Sequence, residues 1–173
     1  MKNNTNWSID NAHSEIAFKV KHMMISTVTG HFEDFTATAK TDGDNFNGAS
    51  LEFSAKTASI NTKNKDRDTH LQSDDFFNSE KFPEMKFVSK SFNGDTLVGD
   101  LTIRDVTKEV TLNAELNGVA VDPYGQTKAG FEITGEVSRK DFNLTWNAVT
   151  EAGSIVVSDK VKLVVDVQFT KQS

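Results

Sequence analysis

The sequence contains no cysteine, only two prolines and one tyrosine, and two tryptophans among its 173 residues. The lack of cysteine excludes a disulfide framework, a thiolate metal site and a cysteine nucleophile. No apolar run reaches the roughly 18 residues of a transmembrane helix, so we expect no membrane span. The first residues include no apolar segment of signal-peptide length. We therefore expect a cytoplasmic protein as the sequence is written, or a periplasmic one if a leader has been removed.

Positive charge is also scarce, with 19 Lys and Arg against 25 Asp and Glu and a net charge of −6. This balance gives no basic footprint for nucleic acid or for an anionic membrane, and we expect no nucleic-acid partner. The sequence also lacks a glycine-rich phosphate loop and the Gly-x-Ser-x-Gly spacing of a nucleophile elbow.

The residues that are abundant favour strands. Val, Ile and Thr number 41, whereas Leu, Ala and Met number 24. Apolar and polar residues alternate with the period of a β-strand in the ranges 15–22, 35–40, 49–56, 110–116, 131–138 and 160–169. A sheet with one apolar, buried face and one polar, solvent-exposed face is typical of antiparallel strands. The pattern predicts a barrel or a sandwich that occupies residues 1–173 as a single domain.

Two stretches depart from this alternation. The charged residues after Asn61 predict one helix over 63–73, with Asn61 or Thr62 as its N-cap. Residues 23–27 predict a single helical turn. Phe76 and Phe77 follow the helix directly, and they form either a hydrophobic latch beneath it or a lid over a barrel mouth.

Short sequence motifs along the chain resemble those of the YceI-like family. They occur in that family's order and span almost the whole chain. They are Trp7-Ser8-Ile9-Asp10, His13-Ser14, Phe18-Lys19-Val20-Lys21-His22, Val28-Thr29-Gly30-His31-Phe32, Arg67-Asp68, His70-Leu71, Ser73-Asp74-Asp75-Phe76-Phe77, Phe82-Pro83, Gly99-Asp100-Leu101-Thr102-Ile103, Val106-Thr107-Lys108 and Arg139-Lys140-Asp141-Phe142. Asn143 stands where the family commonly has glycine, and asparagine tolerates the same left-handed backbone.

The resemblance implies an all-β fold, an eight-stranded antiparallel lipocalin-like barrel with one flanking helix. It also implies a long polyisoprenoid or isoprenoid-quinone chain bound inside the barrel for carriage, storage or sequestration, without catalysis and without a cofactor. A homodimer is compatible with the resemblance, although no residue pattern supports it independently.

The alternation of inward and outward side chains, together with the motifs of the resemblance, indicates which side chains line such a barrel. We expect the ligand-binding wall to include Phe18, Val20, Leu51, Phe53, Phe87, Leu101, Ile103, Phe131, Ile133, Leu163 and Val165. Two polar residues, His22 and Arg139, share inward faces and are candidates for the end that meets a head group. A buried arginine needs a carboxylate or carbonyl partner, and Asp68 or Asp141 could supply it. Arg139 then either closes one barrel end or recognises the head group.

Other chemistry is less well supported by the residues. His13, His22 and His31 recur every nine residues, which suggests a metal. His13 and His31, however, lie near predicted strand ends, and the resemblance implies that His13 and His22 belong to the family's structural signature. We therefore predict no metal site. Asp66 and His70 are spaced to meet on one helix face. Two alternatives to lipid binding stay open. One is an enzyme that acts on an isoprenoid-type substrate in the same cavity, and the other is a ligand-free stress or interaction module with a solid core.

Overall fold

The structure is a computed structural model that describes residues 4–23, 25–144 and 157–172. Over these residues the chain forms eleven strand segments and one α-helix. They are β1 (Asn4–Ile9), β2 (Glu15–His22), β3 (Ser26–Phe32), β4 (Phe35–Asp42), β5 (Asn45–Lys56), β6 (Ile60–Asn61), α1 (Lys65–Leu71), β7 (Glu84–Asn93), β8 (Thr96–Ile103), β9 (Val106–Val121), β10 (Thr127–Ser138) and β11 (Val157–Lys171).

The segments combine into eight barrel strands, because three of those strands are each interrupted by a short turn. β1 continues into β2, β3 into β4, and β5 into β6, as their pairings show: β1 pairs with β4, β2 with β3, β4 with β5 and β3 with β6. Each barrel strand lies antiparallel to the next along the chain. β11 closes the ring by pairing with β10 on one side and with both β1 and β2 on the other. The predicted eight-stranded antiparallel barrel with one helix is confirmed.

The antiparallel order fixes which loops share an end of the barrel. The turns that follow β4, β7 and β9 lie together with the start of β1, and we call this half of the barrel the closed half. The β2–β3 hairpin, α1, the β8–β9 turn and the residues after β10 lie at the opposite end, which we call the open half.

The interruption between β1 and β2 is organised by Asp10. Its Oδ1 accepts a hydrogen bond from the Ala12 amide at 3.1 Å, which caps a short 3₁₀ turn. Its Oδ2 lies 2.9 Å from the Lys128 ammonium and 2.8 Å from Nδ1 of His13. The hydrogen bond from Lys128, followed by that from His13, holds the pKa of the Asp10 carboxyl at about 2. One carboxylate thus joins the bend of the first barrel strand to β10.

The helix is shorter than the sequence predicts. α1 spans Lys65–Leu71, and its N-cap is Asn64, whose side chain accepts from the Arg67 amide at 3.0 Å. The predicted caps are wrong, because Asn61 ends β6 and the buried Thr62 has a different partner. The Thr62 amide donates to Asp68 at 2.9 Å, and Arg67 donates to the Thr62 carbonyl at 2.6 Å. Among the described residues, no helix has the length and apolar character that crossing a bilayer requires.

The predicted helical turn at 23–27 is also wrong. β2 and β3 pair directly up to the register His22 with Ser26, so Ser26 and Thr27 belong to a strand. Hairpin pairing of the two flanking strands overrides the local apolar pattern at the tip.

We predict that Asp10→Asn lowers the free energy of unfolding near neutral pH by about 1–2 kcal/mol, because the ionised carboxylate is bound more tightly in the folded state. The contribution is complete above the unfolded pKa of about 3.9 and is lost as the pH falls toward 2. The difference between the two proteins should therefore shrink in acid. Urea unfolding followed by circular dichroism between about pH 7 and pH 2 measures it.

Asp105→Asn, in the exposed β8–β9 turn, is the matched control and should leave stability nearly unchanged. A difference between wild type and Asp10→Asn that stays constant over the whole pH range would contradict the assignment.

Candidate functional site

The closed half of the barrel is filled by aromatic rings. Trp7 is 1% exposed, and its ring centroid lies 4.9 Å from that of Phe46. Phe131 contacts Phe46 at 4.9 Å and Phe169 at 6.1 Å, and Phe92 joins the same group. The indole N–H of Trp7 donates to the Thr41 hydroxyl at 2.8 Å, so its polar atom is satisfied. An eight-stranded barrel is just wide enough to be filled in this way.

The open half holds an apolar cavity of about 170 Å³. Inward-facing side chains around it are only partly buried, in contrast to those of the closed half. They include Phe18, Phe53, Met85, Val110, Val161, Leu163 and Val165. Of the described residues that border the space, only Ser54, Lys86 and Arg139 are polar. The Lys86 ammonium lies 3.6 Å from the Glu84 carboxylate.

The cavity exists because large side chains lie against the barrel wall rather than across the lumen. Three wall positions are glycine: Gly30 beneath Phe18, Gly99 beneath Phe87 and Gly135 beneath Leu112. A Cβ atom at Gly30 would lie 2.4 Å from Cζ of Phe18, and one at Gly135 would lie 2.3 Å from a methyl group of Leu112. Any other residue there would push these side chains into the cavity.

Arg139 is buried at the open end, where it is held by backbone carbonyls. Its Nε donates to Ser158 at 2.8 Å, one terminal nitrogen donates to Leu144 at 2.8 Å, and the other donates to Val157 at 3.2 Å. Burial lowers the pKa of the guanidinium, an effect that the nearby Asp159 carboxylate opposes. Arg139 therefore joins the two flanks of residues 145–156, which lie outside the described residues.

The predicted carboxylate partners of Arg139 do not supply these contacts. Asp68 is bound to Thr62, and Asp141 is exposed in the 3₁₀ turn Arg139–Phe142. Parity correctly places Arg139 inside, but it does not reveal that the chain after β10 returns its carbonyl groups to the guanidinium. Asn143 ends this turn with a left-handed φ of 60°, as its replacement of glycine predicts.

The segment after α1 covers part of the cavity. Phe76 and Phe77 are both buried and both line it, together with Leu71 of the helix. The Phe77 ring packs edge-on against Phe32 at 5.8 Å, while the Phe76 ring packs against His70 at 5.2 Å. Phe76 thus packs against the helix as the latch predicts, and both rings line the cavity. A lid role for the pair stays a prediction.

The structure gathers ten of the thirteen predicted binding residues around one space. These are Phe18, Val20, Phe53, Phe87, Leu101, Ile103, Ile133, Arg139, Leu163 and Val165. Leu51 and Phe131 are almost fully buried in the packing of the closed half, and His22 is exposed at the rim. That any of the thirteen contacts a ligand stays a prediction.

The alternation of side chains along a strand identifies its inner face. It does not indicate how far along the barrel axis a residue lies. For that reason Leu51 and Phe131 share the right face and yet lie in the wrong half. The same alternation could have identified Val110, Leu112, Val137 and Val161, which also line the cavity. Nothing in the alternation indicates Leu71 at the end of α1, Phe142 in the 3₁₀ turn or Leu144 after it.

Three of the four histidines bind carboxylates, each a different one. His13 lies 2.8 Å from Asp10, and His31 lies 2.5 Å from Glu15. His70 contacts Asp75 at 2.8 Å rather than the predicted Asp66. Within the described ranges no group of three or more histidine, aspartate or glutamate residues is arranged to hold a metal ion.

Comparison with known proteins gives consistent matches. A sequence model described as "YceI-like domain" matches residues 7–169. The chain is 36% identical over 167 residues to a UPF0312 protein of Staphylococcus aureus, covering 96% of this chain and 98% of that protein. The crystal structure of a Campylobacter jejuni YCEI protein is 35% identical, with a TM-score of 0.77 over 88% of this chain and 90% of that one.

One more distant structure shares the fold. It is a polyisoprenoid binding domain from Saccharophagus degradans, 14% identical, with a TM-score of 0.69 over 96% of this chain and 98% of that one.

We predict that Arg139→Met lowers the free energy of unfolding by about 2–4 kcal/mol, because it leaves buried carbonyl groups without a donor. Arg139→Lys should recover only part of the loss, since one ammonium cannot reproduce the planar fork of donors. Urea unfolding measures both changes. Lys140→Met, at the exposed neighbouring position, is the control and should stay within about 0.5 kcal/mol of wild type. An Arg139→Met protein as stable as that control would refute the role of the guanidinium.

Proposed function

Because the chain belongs to the YceI-like family, we propose that it binds the hydrocarbon chain of a polyisoprenoid or an isoprenoid quinone in the cavity of its open half. The observation that carries the proposal is the unfilled apolar space inside a barrel whose other half is fully packed. The distant structural relative is described as a polyisoprenoid binding domain, which supports the same class of ligand. Binding would serve carriage, storage or sequestration of the lipid.

The size of the cavity bears on how such a lipid enters. An apolar cavity of about 150 Å³ accommodates benzene, so a space of about 170 Å³ holds roughly one five-carbon prenyl unit. A longer chain requires Phe76, Phe77 or the neighbouring rim to move outward. Burial of each further unit favours that movement by roughly 25 cal/mol per Å² of apolar surface removed from water.

The head group would remain at the rim. Arg139 is a buried charged group that borders the cavity, and three of its nitrogens already donate to backbone carbonyls. This arrangement favours the structural role predicted for Arg139 over head-group recognition. The gain from apolar burial needs no charged anchor, so the polar end of the lipid can stay in water.

We also propose binding rather than catalysis. An enzyme in the same cavity needs a titratable pair that faces the substrate. His22, the residue predicted for that role, lies exposed on the hairpin rather than in the lining. Turnover of an isoprenoid substrate that depends on pH and is lost in His22→Ala would support the enzyme alternative instead.

Uptake of a long-chain ubiquinone and, separately, of a polyprenol tests the proposal by native mass spectrometry. We expect one lipid per chain. Val165→Phe places a ring in the cavity and should weaken uptake at least about tenfold, which corresponds to about 1.4 kcal/mol.

Val164→Phe is the matched control, because the same substitution one residue away points to the outer face of β11. It should bind like wild type. If wild type takes up neither lipid, the binding proposal fails and the ligand-free module is favoured. Equal uptake by both variants would place the ligand outside this cavity.

The homodimer that the resemblance allows would have a suitable surface at the end of β9. No described strand pairs with the outer edge of residues 115–121, where Leu116, Val119 and Val121 are exposed. Such an edge favours pairing with a second copy. We expect a concentration-dependent dimer in sedimentation velocity that Val119→Lys abolishes and that Val88→Lys, at an exposed site on β7, preserves. A wild-type protein that is monomeric at every concentration would refute the proposal.

A further inference from the structure

The β2–β3 hairpin at the rim of the open half has an unusually apolar tip. The tip side chains of Ile25 and Met23 are 82% and 37% exposed. The Ile25 amide donates to the His22 carbonyl at 3.2 Å, while the Ile25 side chain remains in solvent. Exposed apolar residues gathered at one point mark an interaction site more often than single ones do.

The backbone of this tip would suit polar residues better. Met23 has a φ of 52°, in the left-handed region that glycine and asparagine adopt most readily. Methionine at this position therefore carries a conformational cost. The Met23 side chain remains 37% exposed, so packing offsets this cost only in part. Folding alone therefore does not fully explain an apolar residue at this position.

Four lysines lie on the outer wall beside the tip. Lys19 and Lys21 are on β2, and Lys160 and Lys162 are on the adjacent β11, all exposed. Lys19 and Lys162 are direct cross-strand partners, an arrangement in which like charges repel. Among the described residues, none of the four ammonium groups forms an ion pair, although Lys21 donates to the Thr27 hydroxyl at 2.9 Å. We call the two tip residues and these four lysines the rim surface.

Two acidic residues on this wall, Glu136 and Asp159, form no ion pair with these lysines. Glu136 lies opposite Lys162 on β10 without an ion pair. The Asp159 carboxylate is bound to the Ser138 hydroxyl at 2.5 Å and to the Lys140 amide at 3.1 Å. Positive charge is thus concentrated on one part of a chain whose net charge is −6.

We propose that the rim surface docks on an anionic lipid bilayer. Apolar side chains at the tip enter the interfacial region, and lysine ammonium groups contact lipid phosphates, as amphipathic membrane-binding elements do. The tip directly follows the cavity wall, since Val20 and Val157 line the cavity and Val157 is the register partner of His22. Docking would therefore bring the open half to the membrane. This purpose rests on the proposed lipid-binding function, whereas the docking itself does not.

Flotation of the purified chain with vesicles tests the docking. The two probes are vesicles of phosphatidylcholine alone and vesicles of phosphatidylcholine and phosphatidylglycerol in equal parts, neither of which contains an isoprenoid. We expect binding to the anionic vesicles that is at least about tenfold stronger than to the neutral ones and that weakens as salt is added. Equal binding to both, or none to either, would overturn the proposal.

Two variants assign the binding to the rim surface. Met23→Asn with Ile25→Ser removes the apolar tip and suits the left-handed backbone, and Lys19→Gln with Lys162→Gln removes the facing charges. Each should weaken binding to anionic vesicles at least about tenfold. Both should still take up ubiquinone delivered from detergent, because no substituted residue lines the cavity.

Matched controls lie elsewhere on the barrel. Val121→Ser with Tyr124→Ser removes two exposed apolar residues at the opposite end, and Lys40→Gln with Lys108→Gln changes the net charge equally. Both should bind vesicles like wild type, and a loss as large as that of the rim variants would overturn the assignment. Val165→Phe separates the two proposals, since it should lose lipid uptake while it keeps vesicle binding.

Discussion

The lumen of an eight-stranded barrel is so narrow that its own side chains decide whether it is solid or hollow. In this protein side chains fill the closed half and leave a cavity in the open half. Trp7, Phe46 and Phe131 direct their rings across the axis in the closed half and fill it. In the open half, Phe18 and Leu112 instead lie flat over glycines of the neighbouring strands. The cavity is therefore a consequence of where aromatic rings and glycines face each other, and not of a wider barrel.

Because of this distribution of packing, the closed half stabilises the barrel and the open half gives access to the cavity. The closed half carries the almost fully buried aromatic rings and the bond of Asp10 to Lys128 of β10, and both stabilise the ring of strands. The open half is bordered by a seven-residue helix, a hairpin tip and a turn tied by Arg139, which are smaller units with fewer partners. Local opening is easiest where such contacts are few. Movement at the rim can thus admit a long molecule while the ring of hydrogen-bonded strands stays intact.

Much of this fold could be predicted from residue alternation, because an antiparallel wall has one dry face. The alternation also identified most of the cavity lining. It could not separate Leu51 from Phe53, which lie on one face of β5, since only the first reaches the closed half. Nor could it find the carbonyl partners of Arg139, because they lie on residues brought back by the chain after β10. The position of a side chain along the barrel axis depends on the assembled barrel and not on the local sequence. The same holds for contacts between a side chain and backbone groups that are distant in sequence.

The charges give a second example, because the net charge of the chain does not reveal where the charged side chains lie on the surface. The composition gives a net charge of −6 and, taken alone, indicates repulsion from an anionic surface. The closure of the ring, however, places β11 beside β2 and so aligns Lys19 with Lys162. The sequence of β2 or of β11 alone does not predict a basic surface. A positive surface at the rim therefore arises from the same pairing that closes the barrel, and it lies next to the half that the packing leaves hollow.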